Sequence, residues 1–267
     1  MRISIYNGKN EEISIVEGKK TLSLVHNKEY AEGDKIIISA DEEKFLWIKL
    51  DQFVQEAFVY APKGVVGYDI PFGKHRWAYH YCAFEGDSHT ITVREVVPSN
   101  FEQRRNLAVN PIDQRNNESY YPHASANIVT NDAGFFEAKN AIDGQTITDG
   151  HGPYPWQSWG SDKADNAEFK LDFGRTVIID EVVLYLRSDD FEAHDTYWES
   201  GILEFSDGTT QEIGMVKSPT AQRYAIEPRS VTWLKLHSLK RALPEAFAAL
   251  TEIEVYGYEA KNRGNEV

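Results

Sequence analysis

The chain has 267 residues, enough for one large all-β domain or two ordinary ones, and its 41% hydrophobic and 12% aromatic content supports a packed core and excludes general disorder. No stretch approaches eighteen uninterrupted apolar residues, which excludes a transmembrane helix. The formal net charge of −14 argues against nucleic acid and membrane partners, because phosphate backbones and anionic lipids are held mainly by Lys and Arg; neutral glycans, cations and proteins remain.

The N-terminus, MRISIYNGKNEEISI, goes straight into alternating apolar and polar residues, without an apolar signal core or a small-residue cleavage site. The expected location is therefore cytoplasmic. Ile3 and Ile5, Ile13 and Ile15, and Leu22 and Leu24 alternate with polar neighbours, as a sheet with one wet face requires. KIIISA, KFLWIKL and EAFVYAP are denser apolar runs that suit strands covered on both faces, and HTITVREV closes the set. Turn residues at 7–8, 32–34, 62–64 and 85–87 separate these runs. The single cysteine, Cys82, excludes an intrachain disulfide and a cysteine-based zinc site. It lies in AYHYCAFEG, which looks like a strand, and is expected to be a small buried apolar residue rather than a nucleophile.

Residues 98–126 are polar and Asn-rich and read as a linker with the leading segment of a second domain. Strands then resume. In AEFKLDFG, Phe169, Leu171 and Phe173 share one face, while Glu168, Lys170 and Asp172 share the other. VIIDEVVLYLR reads as a buried strand, ILEFSDGTTQEIGMV as a hairpin around Asp207-Gly208, and VTWLKLHSL and LTEIEVYGYE as the last strands. Short helices are expected only around AKNAID and PEAFAAL. The pattern gives an all-β chain of two β-sandwich, jelly-roll-like domains: 1–97, then the segment 98–126, then 127–258, with a fraying tail at 259–267.

Six segments follow one another in the second half: AKNAIDG, SWGS, EFKLDFG, IDEVVLYLRSDD, LEFSDGT and TEIEVYG. Their order and spacing over residues 120–258 resemble the discoidin, or coagulation-factor C-type, domains and the galactose-binding-like carbohydrate-binding modules. That resemblance implies a galactose-binding-like sandwich whose end loops bind ligands without chemistry. It further implies a structural calcium with Asp143 and Glu252 as carboxylate ligands, completed by Thr146 and the carbonyls of Ala141 and Thr251. The stretch between Asp143 and Trp159 is longer here than is usual in such domains.

Trp159 matches the tryptophan that packs into the sandwich, which leaves HGPYPW as a protruding loop with His151, Tyr154 and Trp156. Exposed aromatic rings stack on the C–H faces of sugars, while His, Asp and Arg bond the hydroxyl rim. Pro153 and Pro155 restrict the loop and lower the cost of ordering it. A second cluster, RSDDFEAHDTYWES, supplies Arg187, Asp189, Asp190, His194 and Asp195, and YYPHAS can add His123. The expectation is a non-catalytic carbohydrate-binding protein with Tyr154 and Trp156 as platform and His151, Arg187, Asp189, His194 and Asp195 as rim, with weak single sites that favour a homo-oligomer. Two alternatives stay open: an assembly protein whose aromatic loops form a subunit interface, or an intracellular sugar-processing enzyme with a His/Asp groove. No HExxH, nucleophile elbow or Gly-rich phosphate loop is present.

Overall fold

The computed structural model of the chain describes residues 1–189 and 194–260. Asp190 and residues 261–267 of the expected tail lie outside these. The fold is all-β, with three antiparallel sheets and only short 3-10 turns.

The first half is a sandwich of two four-stranded sheets. One has the order β2 (Glu12–Glu17), β1 (Arg2–Tyr6), β4 (Lys35–Ser39) and β7 (Val65–Asp69). The other runs β3 (Thr21–His26), β8 (His89–Glu95), β5 (Lys44–Lys49) and β6 (Ala57–Ala61). Their facing residues, among them Ile3, Ile5, Ile36, Ile38, Leu46 and Ile48, form one fully buried core. Strands β5 and β6 are covered on both faces, as their apolar density requires. Their outer face carries Phe45, Phe58 and Tyr60, packed ring on ring. AYHYCAFEG does not form a strand. Residues 73–78 make a 3-10 turn and 79–84 a run of turns, with Phe84 in the left-handed region and Cys82 only half-buried. Alternating aromatics there do not pack into a sheet; several face outward.

The second half is built around β12 (Phe169–Leu186) and β15 (Gln222–Arg241), preceded by β9 (Arg105–Asn106), β10 (His123–Ala126) and β11 (Trp159–Gly160). The remaining strands are β13 (Trp198–Phe205), β14 (Thr210–Gly214) and β16 (Ala249–Glu259). AEFKLDFG and VIIDEVVLYLR belong to this one bent strand, β12. Its first part pairs with β10 and with the end of β15, and its second part with β16 and the start of β15. The register breaks between Asp172 and Val177, where Gly174 has φ +65° and the Tyr121 ring leaves no room for a Cβ. Across the break β12 exchanges β10 for β16 as its partner. Trp159 and Trp198 are fully buried in the core of this half, and the Trp159 Nε1 donates to the Ile128 carbonyl at 2.9 Å. AKNAID forms a 3-10 turn over Ala138–Ile142. PEAFAAL is not helical: Phe247 bridges to Asp195, and β16 begins at Ala249.

Residues 98–126 serve both halves: Ile112 and Tyr120 enter the first core, and Leu107 and Ala124 the second. The free edge of β7 is met by side chains of this segment. Gln114 donates to the Asp69 carbonyl and accepts from its N–H, while Asn117 and Ser119 bond the Gly67 carbonyl and N–H. Across the junction, the Arg105 and Arg175 guanidiniums lie 3.9 Å and 5.2 Å from the Phe58 and Phe45 ring centres, and both pair with Glu259.

Candidate functional site

Arg187 follows the end of β12, and its N–H donates to the Ala249 carbonyl at 3.1 Å. The next residue is tied to the 148 turn, where the Ser188 N–H donates to the Thr148 carbonyl at 2.8 Å. Residues 194–196 are held against 247 by the Phe247 N–H to the His194 carbonyl and the Thr196 N–H to the Phe247 carbonyl. These backbone bonds draw three loops to one end of the second sandwich, where they wall a cavity of about 400 Å³.

Five of the sequence-predicted residues meet there. The Arg187 Nη2 donates to the Asp195 Oδ1 at 2.5 Å and to the Phe247 carbonyl at 3.0 Å, and its Nε lies 3.8 Å from the Asp189 carboxylate. His151 Nδ1 is 2.9 Å from the Asp189 Oδ2 and 3.2 Å from the Asp195 Oδ2. His194 Nδ1 is 3.0 Å from the Asp195 Oδ1, and its ring stacks on His151 at 5.5 Å. Burial pulls the Arg187 guanidinium below its ordinary pKa, opposed by the charges of Asp195 and Asp189. Two carboxylates against one guanidinium leave one formal negative charge facing two imidazoles. A carboxylate at Nδ1 fixes the orientation of each ring. The His194 side chain is 55% exposed and that of His151 28%, whereas Arg187, Asp189 and Asp195 are buried, so the imidazoles are the accessible rim. Ligand atoms of His151, His194 and Asp195 lie within 4.8 Å of one another, a spread that a small divalent ion can close.

The aromatic walls are not the expected ones. Phe135, Phe136 and Phe247 line the cavity, and Tyr154 and Trp156 do not. The Tyr154 N–H is bonded to the Trp77 carbonyl at 2.7 Å and its ring meets His80 edge-on at 5.5 Å, so it faces the first half. The Trp156 ring lies over Gly150 of its own loop, with Nε1 donating to the Asp149 Oδ1 at 3.2 Å. GFF and PEAF carried the missed phenylalanines; an aromatic pair beside a glycine and an aromatic flanking the last strand were the available signals. His123 is also elsewhere, buried in β10 with Nδ1 2.8 Å from the Asp113 carboxylate. Burial opposes its charge, but the bond and charge of Asp113 outweigh this and raise its pKa, while burial raises that of Asp113.

The residues implied as calcium ligands come together in part. The Asp143 carboxylate accepts from the Gln145 N–H at 2.9 Å and the Gln157 Nε2 at 2.7 Å, and the Glu252 Oε1 accepts from the Gly144 N–H at 3.1 Å. The Glu252 Oε2 is buried without a hydrogen-bond partner. Burial pushes the Asp143 carboxyl up to about 7, and burial together with the Asp143 charge lifts Glu252 well above the carboxylate range. A fully buried carboxylate with an orphaned oxygen, beside a half-buried one, suits an oxygen-liganded cation. The β12–β16 register skips Thr251, and Ala141 is buried in the adjoining turn, whereas Thr146 is exposed.

A larger cleft of about 850 Å³ lies beside β7. The Gln114, Asn117 and Ser119 side chains on its wall are already committed to the β7 backbone.

Among solved structures, the chain is similar to chitosan-binding module 1 of a chitosanase/glucanase from Paenibacillus sp. IK-5, with 20% identity, TM-score 0.38, and 57% of this chain and 99% of that one covered. It is also similar to a Streptococcus pneumoniae fucose binding module, at 16% identity, TM-score 0.41 and coverage of 58% and 99%. A third is the lectin domain of lectinolysin complexed with Lewis B antigen, at 18% identity, TM-score 0.42 and coverage of 59% and 98%. No curated protein matches the chain. The family model described as domain of unknown function DUF7402 matches residues 122–256, half of the chain, and the chain belongs to that family.

Proposed function

We propose that the protein binds a carbohydrate, without catalysis, in the cavity at the loop end of the second sandwich. The observation that carries this reading is the convergence of His151, His194, Arg187 and Asp195 with the Phe135 and Phe247 rings around one cavity, with Asp189 held against His151 and Arg187. A sugar ring has an apolar C–H face and a rim of hydroxyls, each able to donate and accept. The phenylalanine walls suit the face, and the His194 and His151 rings stand at the accessible rim with the hydroxyls. The buried Arg187–Asp195 pair acts one step back, by holding the imidazoles in place. Glycan-binding modules and lectin domains among the similar structures are of the same ligand class, and that class is proposed for this chain on the cavity alone.

The test is a titration of wild type and His151→Ala with a broad panel of neutral and acidic sugars. Binding that falls at least tenfold in the variant, with an unchanged melting temperature, is the expected result; no binding by wild type across the panel overturns the reading. Turnover of any sugar that disappears with His194→Ala would favour the enzyme alternative instead.

We propose in addition that Asp143 and Glu252 hold a structural calcium ion, with the Ala141 and Thr251 carbonyls and Thr146 as further oxygen ligands. The orphaned Glu252 Oε2, buried beside the Asp143 carboxylate, supports it. The ion would supply charge balance to the turn that precedes the cavity loop. Melting with and without chelator tests this: a lower Tm in chelator is expected, and an unchanged Tm refutes it.

A further inference from the structure

We propose that the binding site continues beyond the second sandwich onto the first half of the chain, where Trp77 is a second platform for an extended oligosaccharide without anionic groups. This rests on the carbohydrate reading of the cavity. Trp77 lies outside residues 122–256, the part of the chain that the family model matches.

Trp77 is 50% exposed, although a tryptophan in a well-packed junction is normally covered. Its ring stacks on Phe135 at 6.1 Å and 16°, and Phe135 lines the cavity. The Trp77 ring therefore continues the aromatic wall outward from the cavity. Two contacts fix it there. The Trp77 carbonyl accepts from the Tyr154 N–H at 2.7 Å, and at Gly134, next to Phe135, a Cβ would stand 2.8 Å from the His75 Cα. The turn that bears Trp77 is thus packed backbone to backbone against the rim of the cavity. A platform held before the ligand arrives loses little freedom on binding.

Aromatic faces run on from there. Tyr154 meets His80, and His80 is stacked on Phe53 at 5.2 Å and on Tyr81 at 4.4 Å, with Phe53 47% and Tyr81 78% exposed. Successive rings of an oligosaccharide present repeated C–H faces, which such a row can follow. The ligand carries no anionic groups on this argument, because the chain has a net charge of −14 and the cavity sets two carboxylates against one guanidinium.

The experiment titrates wild type, Trp77→Ala and Trp77→Leu with mono-, tri- and pentasaccharides of galactose and of N-acetylglucosamine, with native mass recorded for each protein. Wild-type affinity is expected to rise with chain length. Trp77→Ala should bind the monosaccharide as wild type does and lose about tenfold for the pentasaccharide. Trp77→Leu keeps apolar bulk without a ring face and should behave alike, which covers a failure of the alanine variant to fold. An undiminished gain with length in either variant overturns the inference, as does the absence of any such gain in wild type. Native mass that drops in the variants while sugar binding is unchanged assigns the patch to a subunit contact and also overturns it. Wild type that binds no sugar overturns the carbohydrate reading itself, and this inference with it.

Discussion

At the residue scale, the Arg187 guanidinium is enclosed between the Asp195 carboxylate and the Phe247 carbonyl, with Asp189 behind it. Removing one member of a buried ion pair leaves the other charged and desolvated. Arg187→Met is therefore expected to cost about 3 kcal/mol in denaturant unfolding, and Arg187→Met with Asp195→Leu less than the two single changes combined. A second residue-scale effect belongs to His123, whose pKa is raised from the ordinary histidine value because Asp113 outweighs the cost of burial. A histidine with a raised folded pKa contributes stability that is complete below its unfolded value and lost as pH rises through the folded one. The raised pKa of Asp113 acts with the same sign at lower pH. Wild type should thus lose Tm as pH rises from about 6.5, the ordinary histidine value, through the raised value of His123, and His123→Gln should lose less over that rise, as read by thermal melts.

At the scale of elements, the bend of β12 decides where the cavity loops emerge. Gly174 sits at φ +65° with the Tyr121 ring against it, so Gly174→Ala meets both a backbone and a steric penalty. A loss of more than about 1 kcal/mol in unfolding free energy is expected. The sequence pattern reads this strand as two because Gly-Arg after an alternating run looks like a turn. Pairing to β10, β15 and β16 carries the chain through it. AYHYCAFEG misleads in the other direction, reading as a strand, but the facing of AEFKLDFG was legible, since period-two alternation is local: Phe169, Leu171 and Phe173 are all fully buried. The polar members of the site were legible as residue types on end loops. Their aromatic companions were not, because the orientation of a loop ring is set by distant contacts. Tyr154 is turned by the Trp77 carbonyl, and Phe247 is placed by its bridge to Asp195 rather than by a helix. His123 was misplaced for the same reason: Asp113, ten residues away, holds it.

At the scale of the whole molecule, the two sandwiches meet through charged groups laid on aromatic faces. Arg105 and Arg175 share Glu259 and cover Phe58 and Phe45. These contacts are enclosed, so they couple the halves more firmly than exposed ion pairs would. Calorimetry of wild type is expected to give one unfolding transition. Arg105→Ala with Arg175→Ala should lower the Tm and split the transition in two; a single unshifted peak would show that the halves are joined elsewhere.

The side chains that bond the β7 edge have a consequence for how the protein behaves in a crowd. An open strand edge is a template on which another chain can zip, and amides of Gln114 and Asn117 fill the positions that a foreign backbone would take. The opposite edge, β2, is guarded differently, with Glu12 and Glu17 drawn to Arg2. One border of the sheet is closed by mimicry of a missing strand and the other by charge, so growth into a fibre is discouraged from both sides.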